Sequence, residues 1–131
     1  MKLIYLFLML LPSVSTVTVA DGSIDRTAEL IRKGDIHELA KDFASSVDLT
    51  IMSDDNPATA AQAESAISDF FKKNRPESVK ILHRITSNPH FHYGVLIVST
   101  SNGIFRVAFS LKSIQGHFEL TEMRIESEKT K

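Results

Sequence analysis

The sequence predicts an α+β domain with its helices packed on one face of an antiparallel sheet. Three observations carry this reading. Before residue 75, apolar residues recur at three- and four-residue steps in three segments. After Pro76 that period is gone, and four stretches of strand length take its place. Turn signals at Ser87-Asn88-Pro89, Ser101-Asn102-Gly103 and Ile114-Gln115-Gly116 separate those stretches at hairpin spacing.

The chain begins with Lys2, an apolar run over 3–11, Pro12 as a breaker and a small polar stretch over 13–20, the three-part order of a secretory signal peptide. The run is shorter than the roughly 20 residues that span a bilayer, which disfavours a permanent membrane helix. Thr18 and Ala20 stand where small residues precede cleavage, so the expected organisation is a leader over 1–20 and one domain over 21–131, periplasmic or secreted and free of the membrane once cut.

Within the domain, Ile24, Ala28 and Ile31 with Gly34 behind them predict a short amphipathic helix over 25–33 ended by a glycine. Asp35 is placed to cap a second helix, with Glu38 three residues on and Ile36, Leu39, Ala40 and Phe43 as its stripe. Val47, Leu49 and Ile51 alternate with polar residues, the period of a half-buried strand. Residues 53–58, with Asp54, Asp55, Asn56 and Pro57, read as a loop. Thr59 and Gln62 form a capping-box pair ahead of Ala63, Ala66, Ile67, Phe70 and Phe71, and Asn74 and Pro76 end that third helix.

Strands are then expected over 78–86, 91–100, 104–112 and 117–126, paired as a meander because their connections are short. Phe105, Val107, Phe109 and Leu111 form the clearest row facing the helices. The strand over 91–100 is apolar on both sides, with Tyr93, Val95 and Ile97 on one and Leu96 and Val98 on the other. We read Tyr93 as facing inward, which leaves Leu96 and Val98 on the face that the helices do not cover and predicts a homodimer through that outer face. Gly94 marks a bend or bulge. In the last strand the apolar parity changes between Leu120 and Met123, as a bulge would make it, so Glu119 and Glu122 receive no face from the pattern.

Charge excludes one partner class. With 15 Lys+Arg against 16 Asp+Glu in 131 residues, the chain lacks the basic surplus that neutralises nucleic-acid phosphates. The absence of cysteine excludes disulfides, thiolate nucleophiles and Cys-based zinc sites together.

Several separated blocks resemble a known family: Thr59-Ala60-Ala61-Gln62-Ala63-Glu64, Asp69-Phe70-Phe71-Lys72-Lys73-Asn74, Ile81-Leu82-His83, Tyr93-Gly94-Val95-Leu96, Phe105-Arg106-Val107 and Glu122-Met123-Arg124-Ile125-Glu126. In this order, after a leader and a helical pair, they are similar to small exported proteins of unknown function from Gram-negative bacteria, assigned to the nuclear transport factor 2-like, or cystatin-like, superfamily. The resemblance implies a cone in which a curved sheet wraps helices, and it implies no reaction. The fold carries ketosteroid isomerase, dehydratases and epoxide hydrolases beside non-catalytic binding and dimerisation modules. Where those enzymes add a strand between the first strand and the third helix, this chain has only residues 53–58.

An isomerase or hydratase on such a cone needs a base and an electrophilic donor converging in one dry cavity. The inward rows offer His83, between Ile81 and Ile85, and Tyr93, and no carboxylate interrupts them. His83 reads first as a core histidine held by a hydrogen bond. His90 and His92 share one face of a strand and His117 could approach, but zinc needs three or four convergent ligands, and the spacing alone does not make a site. Asp54, Asp55 and Asn56 lack the Gly and Glu of a calcium loop. The sequence therefore favours a non-catalytic envelope protein that binds a small ligand or a protein partner through its cone and sheet, with no metal or cofactor. The competing reading is a small isomerase or hydratase using His83.

Overall fold

The computed structural model describes residues 22–128; the expected leader, its cleavage site and the last three residues lie outside the described part. Helix α1 (Gly22–Lys33) starts earlier than its apolar spacing indicated and ends at Gly34, whose φ of 75° lets the amide of Asp35 reach Leu30 O and its own amide reach Ile31 O. Helix α2 (Ile36–Ala40) is capped by Asp35, whose carboxylate accepts from the Glu38 amide at 3.2 Å. Strand β1 (Phe43–Ile51) follows, then strand β2 (Asp54–Thr59), and then helix α3 (Ala60–Lys73), where both bonds of the Thr59–Gln62 capping box are made. The meander comprises β3 (Pro76–Asn88), β4 (Phe91–Thr100), β5 (Gly103–Ile114) and β6 (His117–Ser127).

The six strands form one curved sheet in the order β2-β1-β6-β5-β4-β3. All neighbours are antiparallel except β1 and β6, which run parallel. Helix α1 lies against β3 and β4, and α3 lies against β1 and β2. Between helices and sheet sits one core, with Ile24, Ile31, Leu39, Ile67, Leu96, Val107, Phe109 and Met123 closed to solvent.

Residues 53–58 are not a loop. The positive φ of Met52 turns the chain, and residues 54–59 pair with β1 as an edge strand, Asp48 opposite Pro57. Poor strand formers are tolerated there because an edge needs only one side of its backbone paired, and Asp and Pro discourage further pairing. The strand found in the enzymes of this fold is therefore present.

Two bulges decide which side chains face the helices. On β6, Thr121 is the extra residue between the pairs Leu111–Leu120 and Ser110–Glu122, as the parity change indicated. Glu119 and Glu122 consequently share the outer face, opposite Lys112 and Ser110. On β3, Leu82 is the extra residue between Ile81, opposite Leu96, and His83, opposite Val95. Gly94, by contrast, holds a regular register position and makes no bulge. A Cβ built there would come within 2.6 Å of Phe109 Cζ, so the missing side chain makes room for a buried ring.

Candidate functional site

The interior row of β4 is His92, Gly94, Leu96 and Val98, because Leu96 pairs with Val107 and Val98 with Phe105 in the row that packs on the helices. Phe105 confirms the direction by meeting Phe70 of α3 edge-on, ring centroids 5.0 Å apart. The assignment of Tyr93 as inward is thus corrected: Tyr93, Val95 and Ile97 lie on the outer face, and Leu96 and Val98 on the inner one. A sequence signal for this existed. The two-residue connection at Ser101-Asn102 pairs Thr100 with Gly103, and counting back from that pair sets Leu96 beside Val107.

His83 is corrected in the same way. Without Leu82 as an extra residue it would share the parity of Val79 and Ile81; with it, His83 faces outward and is exposed. Its neighbour Arg84 turns inward instead and makes two bonds to the Asp25 carboxylate of α1, at 2.8 and 3.1 Å. The bonds from Arg84 hold the Asp25 carboxyl below its ordinary pKa. Neither His83 nor Tyr93 lines the interior.

The histidine that does enter the core is His92. It is 5% exposed, lies 3.0 Å through Nδ1 from Ser23 Oγ, and stacks on Phe118 with centroids 4.3 Å apart. The hydrogen bond and the stacked ring make it the satisfied core histidine that the pattern had placed at position 83. His90 lies in the exposed turn before β4, and His117 pairs with Glu119 at 3.0 Å. Among the described residues no three His, Asp or Glu side chains converge on a point that could hold a metal.

A cleft of about 550 Å³ opens between β1, β2 and α3, lined by Leu49, Ile51, Pro57, Ala58 and Ala66, with Asp54 as the one titratable residue of its wall. An acid–base pair therefore does not meet in it.

The outer face falls into two halves. Across β5, β6, β1 and β2 the polar side chains satisfy one another: Ser110 Oγ donates to Glu122, Thr50 Oγ1 to Asp55, Arg106 to Glu128 and Arg124 to Glu126. Across β3 and β4 stand Ile85, Tyr93, Val95 and Ile97, with Phe91 at the end of the row. Ile85 is 51% exposed and Phe91 40%. An apolar row of this kind on the solvent side of a sheet marks an interaction surface.

The family model for DUF4783, a domain of unknown function, matches residues 24–126. The crystal structure of a DUF4783 family protein from Bacteroides uniformis is similar at a TM-score of 0.76 and 24% identity, covering 81% of this chain and 97% of that one. A domain of unknown function with a cystatin-like fold from Nostoc punctiforme aligns at 0.67 and 11% identity over 87% of this chain and 81% of that one. An NTF-2 like protein of unknown function from Burkholderia xenovorans aligns at 0.64 and 5% identity, over 86% of each chain. No curated protein matches. At these identities the likeness shows the fold, which is the nuclear transport factor 2-like, cystatin-like α+β architecture expected from the sequence.

Proposed function

The chain belongs to the DUF4783 family, and from that premise we propose that it is an exported, non-catalytic protein that acts by docking through the outer face of β3 and β4, onto a second copy of itself. The observation that carries this reading is the outward apolar row of Ile85, Phe91, Tyr93 and Ile97, flanking the buried Val95, beside a polar half that is already satisfied. Two features support it. Side chains such as Phe109 and Met123 fill the centre of the space between helices and sheet, and the cleft left between β1, β2 and α3 has Asp54 as the one titratable residue of its wall. Charge of both signs also borders the apolar row, with Lys80 opposite Ile97 and with Lys112 between Phe91 on one side and Glu119 on the other, a mixture that a twofold copy can pair. The order of Lys2, apolar run and small residues supports export.

Light scattering at micromolar concentration tests the dimer. The expected result is twice the chain mass, reduced to one chain mass in Ile97→Asp and Ile85→Asp variants that melt like the parent. A strict monomer whose Ile97→Asp form is equally soluble overturns the proposal. For export, N-terminal analysis of secreted material should start at Asp21, and uncleaved protein retained in the cytoplasm would refute that part.

A further inference from the structure

We propose that the pocket between the C-terminal ends of α1 and α3 binds a phosphate group. The pocket holds about 230 Å³ on the helical side of the molecule, away from the outer sheet face. Arg32 and Lys33 reach it from the end of α1, Lys72 from the end of α3, and Arg75 from the link to β3; Ser68 completes the polar wall and no carboxylate lines it.

Basic residues at a helix C-terminus are ordinary, because the helix dipole favours them there. Three observations exceed that explanation. First, the terminal carbonyls do not depend on these side chains: Gly34 and Asp35 amides cap Leu30 and Ile31, and Asn74 caps Phe70 through both its amide and its side chain. Second, each of the other arginines among the described residues has a carboxylate partner, Arg26 with Asp42, Arg32 with Glu29, Arg84 with Asp25, Arg106 with Glu128 and Arg124 with Glu126. Arg75 has none among the described residues, nor has Lys72, and no hydrogen bond engages the Ser68 hydroxyl. Third, the four cations converge from separate segments of a chain whose formal charge is −1, so the cluster is not the accident of a basic protein.

Glu29 holds the Arg32 fork and lies 3.9 Å from Lys33, so the unpaired donors of the pocket are the Arg75 fork, the Lys72 ammonium and the Ser68 hydroxyl, joined by what Glu29 leaves of the two α1 cations. A phosphate group offers several oxygens and up to two charges to them together, where a carboxylate offers two oxygens and one charge. The buried Phe71 and Ile36 give the pocket a dry floor that strengthens those bonds. Its volume lies below the roughly 300–1,000 Å³ of sites for drug-sized ligands, which suits a headgroup or a free phosphate.

The test follows backbone amide shifts of the purified protein during titration with inorganic phosphate up to about 10 mM, a range that captures weak millimolar binding. Acetate at matched ionic strength is the control. A parallel arm measures co-sedimentation with phosphatidylcholine vesicles with and without phosphatidylglycerol. The expected result is saturable shifts at Arg32, Lys33, Ser68 and Phe71, or sedimentation that requires phosphatidylglycerol, weakened about tenfold in a Lys72→Gln/Arg75→Gln variant of unchanged melting temperature. A response to phosphate in solution assigns a soluble ligand, and a response to the vesicles alone assigns a lipid headgroup. Acetate acting as strongly as phosphate, silence in both arms, or a double variant that binds like the parent overturns the proposal.

Discussion

The two faces of β4 are nearly alike in sequence and opposite in fate. Leu96 and Val98 are closed to solvent beneath the helices, whereas Tyr93 and Ile97, on alternating positions of the same strand, stay half-buried on the outside. The inner row is completed within the chain: Gly94 admits the ring of Phe109, and Ser23 and Phe118 accommodate His92. The outer row is covered unevenly: Val95 is buried, whereas Ile85 beside it is half exposed. Apolar character alone therefore does not say which face is core; the pairing of each residue across the sheet does.

Adjacent substitutions sharpen this contrast most. Leu96→Asp places a charge in a sealed core and should cost more than about 4 kcal/mol, enough to leave circular dichroism and amide exchange without a native signature. Ile97→Asp should fold with a melt close to the parent and change only association. Equal behaviour of the pair would break the assignment of faces. Next in size is Gly94→Ala, whose new methyl group meets Phe109 and should cost about 1–3 kcal/mol in urea unfolding. In a Phe109→Leu background the same change should cost less, since the two positions share one space.

Histidines on the two faces provide a third comparison. Ser23→Ala deprives the buried His92 of its partner and should cost about 1–3 kcal/mol, while His83→Leu on the outside should stay within about 0.5 kcal/mol of the parent. A large loss at His83 would return it to the core. A further small effect is expected at Arg84→Gln. Its ion pair with Asp25 is solvent-exposed on both sides, so the loss should be below about 1 kcal/mol at neutral pH. Because the pair lowers the folded pKa of Asp25, its contribution is present above the ordinary carboxylate range and is lost as the pH falls through the folded value. Melts of parent and variant should thus converge in acid.

What the amino-acid order determined by itself is everything that depends on near neighbours. The capping box at Thr59 and Gln62, the stop at Gly34, the meander and its turns, and the bulge near Thr121 are all encoded within a few residues, where spacing and side-chain chemistry act directly. The α+β class and the family likeness followed from these in sum. Distant segments decided the rest. Residues 54–59 become a strand because β1 offers them a partner, against their own propensity. The extra residue at Leu82 sends His83 outward and Arg84 toward Asp25, and no local pattern marks it, since Ile81, Leu82 and Ile85 are apolar on either reading. His92 and Ser23 meet across 69 positions, and Arg75 comes to share a pocket with Arg32 and Lys33 only when the fold brings the ends of α1 and α3 to one pocket. A periodicity records what each residue prefers; which face it occupies, and which charges it joins, is settled when non-local strand pairs and helix ends close around one core.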